Sequence, residues 1–290
     1  MTMIVPFAPG GGTDTTARSV AAMMEKELGT TVAIEYKPGA STQVGLTALT
    51  QSKPDGYTSA IISVPSSAIT YLDPSRNAPY GRKDFQPIGA IVADPESLVV
   101  RQDSPFKTLK DFVDAAKAKP DTIKVGTQGP GAMAHLAGIT FQQAAGIKLA
   151  FVHFTEGAAA GNTAVLGGHI DANMVAVGSG WQLLGPSQQG RALAVMDKTP
   201  SEVYPSAPTF QSLGYNLTAV VTLGVVVPAG TPKEVVDILS EVVRKASVSP
   251  EFKKQMNDMG MAVRYMNAAD FDKYWTEMDE WAKPLLALAK

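Results

Sequence analysis

Apolar positions along this chain fall into two rhythms: short continuous runs, and longer stretches in which they return every third or fourth residue. Ile4-Val5 opens the first run. After a glycine triplet, Ala17, Val20, Ala21, Met24 and Leu28 mark one face of a helix that Gly29 stops. Thr13 or Asp14 would cap that helix. A strand over 31–36 follows, then a turn at Lys37-Pro38-Gly39 and a helix over 43–51 that Pro54-Asp55-Gly56 ends. Thr58–Val64 reads as an apolar strand, with Pro65-Ser66-Ser67 at its C-terminal end. Two further strands are expected over 85–92 and 97–100.

The character changes at Arg101-Gln102-Asp103-Ser104-Pro105, where a second alternating series begins. A helix over 108–118 opens on the box formed by Thr108 and Asp111. Next come a strand over 123–127, a glycine-containing loop over 126–134, and a helix to Gly146. A strand over 149–154, a loop over 155–161 and a helix to Leu166 repeat the pattern. Strands over 170–177 and 192–196, with a helix from Trp181 between them, complete it. Residues 200–214 are rich in turn formers, 219–228 are a long apolar run, and helices are expected over 232–247, 250–259 and 270–289. In the last, Phe271, Trp275, Met278 and Leu285 mark the buried face, with Tyr274 and Trp281 nearby. Strand and helix alternating at this spacing imply parallel sheets with helices on their faces, an α/β fold. The layout predicts two domains, 1–100 with 225–290 and 101–224, hinged at crossovers near 97–101 and 219–228.

Composition narrows the function classes. At 290 residues the chain is long enough to bury roughly three quarters of its unfolded surface and to favour two cores. Hydrophobic residues make up 45% and charged ones 18%, an ordinary globular balance. The 25 basic and 27 acidic side chains are dispersed, with no block or stripe suited to nucleic acid or an anionic membrane surface. The longest apolar runs are near ten residues, against about 20 for a membrane span. Without cysteine there is no disulfide, thiolate metal site or cysteine nucleophile. Met1-Thr2-Met3 leads almost directly into the first strand, which suggests a start left by removal of a leader.

The candidate chemistry lies in four loops at the C-terminal ends of strands, where open α/β sheets bind ligands: 8–14, 65–67, 126–134 and 155–161. The first is almost bare backbone before a helix N-terminus, and free N–H groups there suit an anion. It lacks the Lys-Ser/Thr pair of a P-loop. It also departs from the dinucleotide fingerprint, since Gly10 and Gly12 keep the first spacing but Thr15 replaces the third glycine. A nucleotide-binding α/β enzyme remains the alternative on these loops. His135, His153 and His169 are far apart and show no metal-ligand spacing. His135 stands at a helix start in a candidate loop, where it either meets ligand or bonds to backbone; His169 reads as a turn residue. Asp14 either contacts ligand or caps the helix and ties the loop. No Gly-x-Ser-x-Gly elbow occurs. No catalytic residue, cofactor or metal is expected.

In order along the chain, several segments resemble the solute receptors of tripartite tricarboxylate transporters, the Bug-type periplasmic proteins. They are Ile4-Val5-Pro6-Phe7-Ala8-Pro9-Gly10-Gly11-Gly12-Thr13-Asp14 with Ala17-Arg18, Lys37-Pro38-Gly39-Ala40, Lys53-Pro54-Asp55-Gly56-Tyr57, Asp103-Ser104-Pro105-Phe106-Lys107-Thr108, Gly167-Gly168-His169-Ile170-Asp171, Ala207-Pro208-Thr209-Phe210, Leu213-Gly214-Tyr215 and Pro228-Ala229-Gly230-Thr231-Pro232. The resemblance covers essentially the whole chain. It implies a two-domain type II periplasmic-binding-protein fold with a hinged inter-domain cleft, and two loops that act as a pincer on one ligand carboxylate through backbone groups and waters. Carried over by position, Phe7, Ala8, Gly11, Thr13 and Asp14 would form one arm, and Gly157, Ala158 and Ala159 the other. Ser66, Ser67, Thr127, Gln128 and His135 would line the rest.

Two departures matter. Receptors of this kind for acidic amino acids carry an acid soon after the Gly-Gly-x-x-Asp turn, whereas residues 172–179 here carry none. The expected ligand is therefore an aliphatic di- or tricarboxylate or an aromatic carboxylate without an amino group. The second arm, 154–161, is also about one residue longer than the usual pattern. The implied function is a monomeric periplasmic solute-binding protein that delivers its ligand to permease subunits. A ligand-sensing receptor domain is a further alternative.

Overall fold

The computed structural model describes residues 1–10 and 12–289, and divides the chain into two compact units. The first unit holds Met1–Ala93, Thr222–Asp258 and Val263–Lys283; the second holds Asp94–Val221, Met259–Ala262 and 284–289.

In the first unit the chain runs β1 (Thr2–Val5), α1 (Gly12–Leu28), β2 (Ala33–Tyr36), α2 (Gln43–Thr50), β3 (Thr58–Val64) and the single turn α3 (Ile69–Leu72). It then enters β4 (Phe85–Arg101), whose first half belongs to this unit. Strand β1 is parallel to both β2 and β3, and Val5 pairs with Tyr36. The run Thr58–Val64 is buried on both faces, as a strand in the interior of a covered sheet must be. Its apolar side chains meet Ile4, Leu46, Leu49, Phe85, Phe271 and Trp275 in one core.

The second unit continues with α4 (Leu109–Ala118), β5 (Lys124–Thr127), α5 (Met133–Ala145), β6 (Ala150–His153), α6 (Ala158–Leu166), β7 (Ala172–Ala176), the short α7 (Trp181–Leu184) and β8 (Gly190–Val195). Strands β6, β5 and β7 are parallel neighbours, while the second half of β4 runs antiparallel to β7 on one side and β8 on the other. Helix α4 starts as its residues dictate: the Thr108 hydroxyl accepts the Asp111 N–H, and the Asp111 carboxylate accepts the Thr108 N–H. Val99, Val165, Ile170, Val175, Leu183 and Val195 form this unit's core.

The chain returns through β9 (Val220–Pro228), antiparallel to β3, and continues as α8 (Lys233–Val248), α9 (Pro250–Asp258), β10 (Ala262–Asn267) and α10 (Ala268–Leu288). Two expectations are corrected. The separate strands over 85–92 and 97–100 are one 17-residue strand, β4, because Asp94, Pro95 and Glu96 stay extended and buried. And 262–267, given no element above, is the strand β10, half-buried along most of its length and paired with β4. No described helix is long and apolar enough to cross a membrane.

Candidate functional site

The loop after β1 is shaped by its own residues. Pro6 is buried, Phe7 is half-buried, and Ala8, Pro9 and Gly10 are exposed. Gly10 takes φ +96°, a conformation that suits glycine, and a Cβ there would meet nothing, so the demand is conformational and not steric. Gly11, expected in the first arm, lies outside the described residues. Helix α1 has already begun at Gly12, so Asp14 is not its cap but sits in its first turn. From there its carboxylate reaches back to accept the Gly10 N–H at 2.7 Å, and it also accepts the Tyr36 hydroxyl at 2.7 Å and Arg18 Nε at 2.9 Å. Arg18 bonds Tyr36 as well and lies over its ring. Burial works against the Asp14 charge, but the Gly10 N–H, the Tyr36 hydroxyl and Arg18 together hold its carboxyl below the ordinary value. Asp14 is thus a buried anion whose acceptor capacity is spent on fixing the loop. Thr13 stays half-buried beside it.

The turn after β3 lies at the same sheet edge, since β1 and β3 are parallel neighbours. Ser66 is half-buried on it. Ser67 is fully buried, and its hydroxyl accepts the Ser63 N–H at 3.3 Å.

In the second unit, β5 and β6 bring their loops to one edge. Thr127, at the end of β5, shares a 2.7 Å hydrogen bond with His153 Nδ1 at the end of β6. Gln128 is half-buried next to it. His135 is buried one turn into α5, where its Nδ1 accepts the Gly131 N–H at 3.1 Å. Its ring stands edge-on to His153 at 4.7 Å and to Phe151 at 4.9 Å. Burial, with the neighbouring His153, pushes His135 down to about 4, and burial also lowers His153. Both rings are therefore neutral near pH 7, and His153 is the more exposed.

The loop after β6 delivers Gly157 at φ +112°, ψ −176°, another backbone setting reserved for glycine, immediately before Ala158. Among the described residues, no side chain caps α6, nor α5. In a chain that caps α4 on both sides, these two helix starts leave their first N–H groups to whatever arrives from outside. Ala158 is half-buried and Ala159 exposed. Behind the loop, Asn162 donates to the Ser179 carbonyl at 2.9 Å and accepts from Asn173 at 3.0 Å, tying α6 to the end of β7.

Sequence reasoning missed several members of these clusters. Tyr36 and Arg18 belong to the Asp14 lock, and His153 to the Thr127–His135 group. Asp94 and Glu96 lie in β4: Asp94 accepts the Gly178 N–H at 2.8 Å, two residues past the end of β7. The signal for these two was visible as Asp-Pro-Glu inside an otherwise apolar run. Their position bears on the ligand, because the expectation of a ligand without an amino group rested on the absence of an acid within 172–179. The acid comes to that segment from another strand.

Residues 16–288 match the tripartite tricarboxylate transporter family receptor, TctC. The chain belongs to that family. A relative in Agrobacterium vitis, described as a UPF0065 protein in the TAR-I ttuE-ttuC' intergenic region, is 31% identical, covering 100% of this chain and 84% of its own. Among solved structures, periplasmic binding protein BugD shares 30% identity with a TM-score of 0.79, covering 100% of this chain and 97% of BugD. A TctC solute-binding protein from Polaromonas shares 28% identity with a TM-score of 0.86, covering 99% and 97% of the two chains. The TctC receptor fold is that of the two-domain periplasmic binding proteins, as the sequence resemblance implies, and the family is one of solute receptors.

Proposed function

We propose that this TctC receptor works in the periplasm, captures a small carboxylate there and hands it unchanged to the permease subunits of a tripartite tricarboxylate transporter. The observation that carries the reading is the pair of glycine-led helix starts, at α1 and α6, whose backbone N–H groups are the obvious donors for a carboxylate. Phe7, Ala8, Thr13 and Asp14 with Gly11 form one arm of the proposed site. Gly157, Ala158 and Ala159 form the other, and Ser66, Ser67, Thr127, Gln128 and His135 line it. Oriented N–H donors hold a carboxylate without burying an arginine. Receptors of this fold have been solved with malate, at 24% identity, and with adipate, at 22%. The proposed ligand shares that skeleton: an aliphatic di- or tricarboxylate, or an aromatic carboxylate.

The test is a thermal-shift screen of carboxylates on protein freed of co-purified ligand. A carboxylate present at 100 times its dissociation constant stabilises the native state by about 2.7 kcal/mol, a readily visible rise in melting temperature. No response across di-, tri- and aromatic carboxylates would sink the reading. Capture of permease subunits from solubilised membranes in the presence of ligand separates delivery from sensing.

A further inference from the structure

The carboxyl groups of Asp94 and Glu96 stand two residues apart on β4, so both project from the same face of the strand. Both are buried, with Glu96 only 2% exposed. Asp94 accepts the Gly178 N–H, and the approach is so close that a Cβ on residue 178 would meet its Oδ2 at 2.8 Å. Glu96 fares differently: its Oε2 is fully buried and has no hydrogen-bond partner among the described residues. No ion pair to either group occurs among the described residues, and the charged group that acts on Glu96 is Asp94, which repels it. Burial pushes Asp94 up to about 7, and burial together with Asp94 pushes Glu96 up to about 8. A buried carboxyl oxygen without a partner costs on the order of 1–3 kcal/mol, more once charged. A fold keeps such an atom at little cost only if something else satisfies it.

Topology says what that is. Strands β6, β5 and β7 are parallel, so Thr127, His153 and Ala176 end at one edge of the second unit's sheet. Gly178 and Ser179 follow on that edge. Asp94 is bonded to the first, and Asn162 of α6 is bonded to the second. Glu96 pairs directly with Ala176 across β4 and β7. The acid pair is therefore joined, through two hydrogen bonds and adjacent backbone, to Asn162, one turn into the helix whose start is proposed to hold a carboxylate.

We propose that Asp94 and Glu96 form a cation-accepting subsite that takes the protonated amine of the captured carboxylate, so that the preferred ligand is an amino-carboxylate. The assignment rests on the carboxylate-receptor reading and refines it. An ammonium has three donors: one fills the vacant Glu96 Oε2 and another reaches Asp94, while its charge removes the repulsion between the two acids. The proton balance is explicit. Burial raises both carboxyls, so the unliganded pair is at least partly protonated near pH 7. The ammonium arrives already protonated, the pair ionises against it, and the protons the pair gives up pass to the buffer.

The experiment is titration calorimetry on the ligand-free full chain with matched pairs differing by one amine: succinate and aspartate, glutarate and glutamate, adipate and 2-aminoadipate, phenylacetate and phenylglycine. Each is run in two buffers of different ionisation enthalpy. In a pair that binds, the amine-bearing member should bind roughly tenfold tighter or more and release about one to two protons, while its partner releases none. In Glu96→Gln and Asp94→Asn the preference should collapse to about twofold or less. Equal or tighter binding of the amine-free member in every pair that binds overturns the subsite and leaves the carboxylate receptor standing. So does a preference that survives both substitutions. If neither variant folds, amine binding to the wild-type chain without proton release overturns it. Failure of every compound, and of the wider carboxylate screen, removes the receptor reading and this one with it.

Discussion

Asp14 shows how one residue changes meaning between sequence and structure. By spacing alone it is a polar group after three glycines, either in contact with ligand or capping the helix. In place it is 4% exposed and takes hydrogen bonds from Gly10, Tyr36 and Arg18, so its charge shapes the donor loop and is unavailable as an acid. The reach back to Gly10 is legible from the sequence, because an acid in the first turn of a helix commonly bonds the backbone before it. Tyr36 and Arg18 are not legible, since their approach depends on the register that sets Val5 beside Tyr36. Asp14→Ala removes charge-assisted bonds and should cost on the order of 1–3 kcal/mol of stability. It should also weaken carboxylate binding, because the loop must then be ordered by the ligand. Calorimetric affinity equal to that of the wild type would remove Asp14 from the site.

At the scale of elements, legibility follows burial and period. Helices with strong apolar faces and clear stops, such as α1 before Gly29, α5 before Gly146 and α4 with its box, stand where the periodicity puts them. The two misses have physical causes. Strand β4 carries Asp94-Pro95-Glu96 at its centre, and two acids flanking a proline read as a break until their burial is seen. Strand β10 is half-buried and carries Arg264 and Tyr265, so its alternation is weak. The contrast between helix starts is the more useful lesson. Helix α4 satisfies its own N-terminus through Thr108 and Asp111, whereas α6 begins at Ala158 behind an uncapped glycine. Ala158 is the first residue of α6, a position where proline suits the helix but lacks the N–H. Ala158→Pro should therefore preserve the melting temperature of the ligand-free protein while reducing carboxylate affinity roughly tenfold or more, the scale of one charge-assisted hydrogen bond. Full affinity in a folded Ala158→Pro variant would show that this N–H is not a donor to the ligand.

Across the whole molecule, buried ionisable groups set the pH at which the ligand-free fold is most stable. Burial raises three carboxyls: Asp94 to about 7, Glu96 (with Asp94 adding to the shift) to about 8, and Asp279, against its Tyr71 hydrogen bond, to about 6. For each, the folded state keeps a proton that the unfolded chain loses near its ordinary value of 3.8 or 4.5, so stability falls as pH rises through the gap. His135 acts in the opposite sense. Held down to about 4 against an ordinary 6.5, it stays neutral in the fold while the unfolded chain takes up a proton, so stability falls as pH drops from 6.5 towards 4. His153, also lowered, has the same sign. The depressed carboxyls Asp14 and Asp111 are ionised in both states above about pH 5 and add no slope there. Above about pH 6.5 the raised carboxyls act without this opposition. Three raised carboxyls outweigh two lowered histidines, so the ligand-free protein should lose stability as pH rises from about 5 through neutrality, by on the order of 2–3 kcal/mol between about pH 6.5 and 8. Glu96→Gln replaces the group that titrates latest with one that does not titrate, and should flatten that decline. Melting curves at the two pH values decide it: an unchanged or higher melting temperature at pH 8 would mean that Glu96 and Asp94 are already ionised in the folded chain, with their charges satisfied by some group other than a proton.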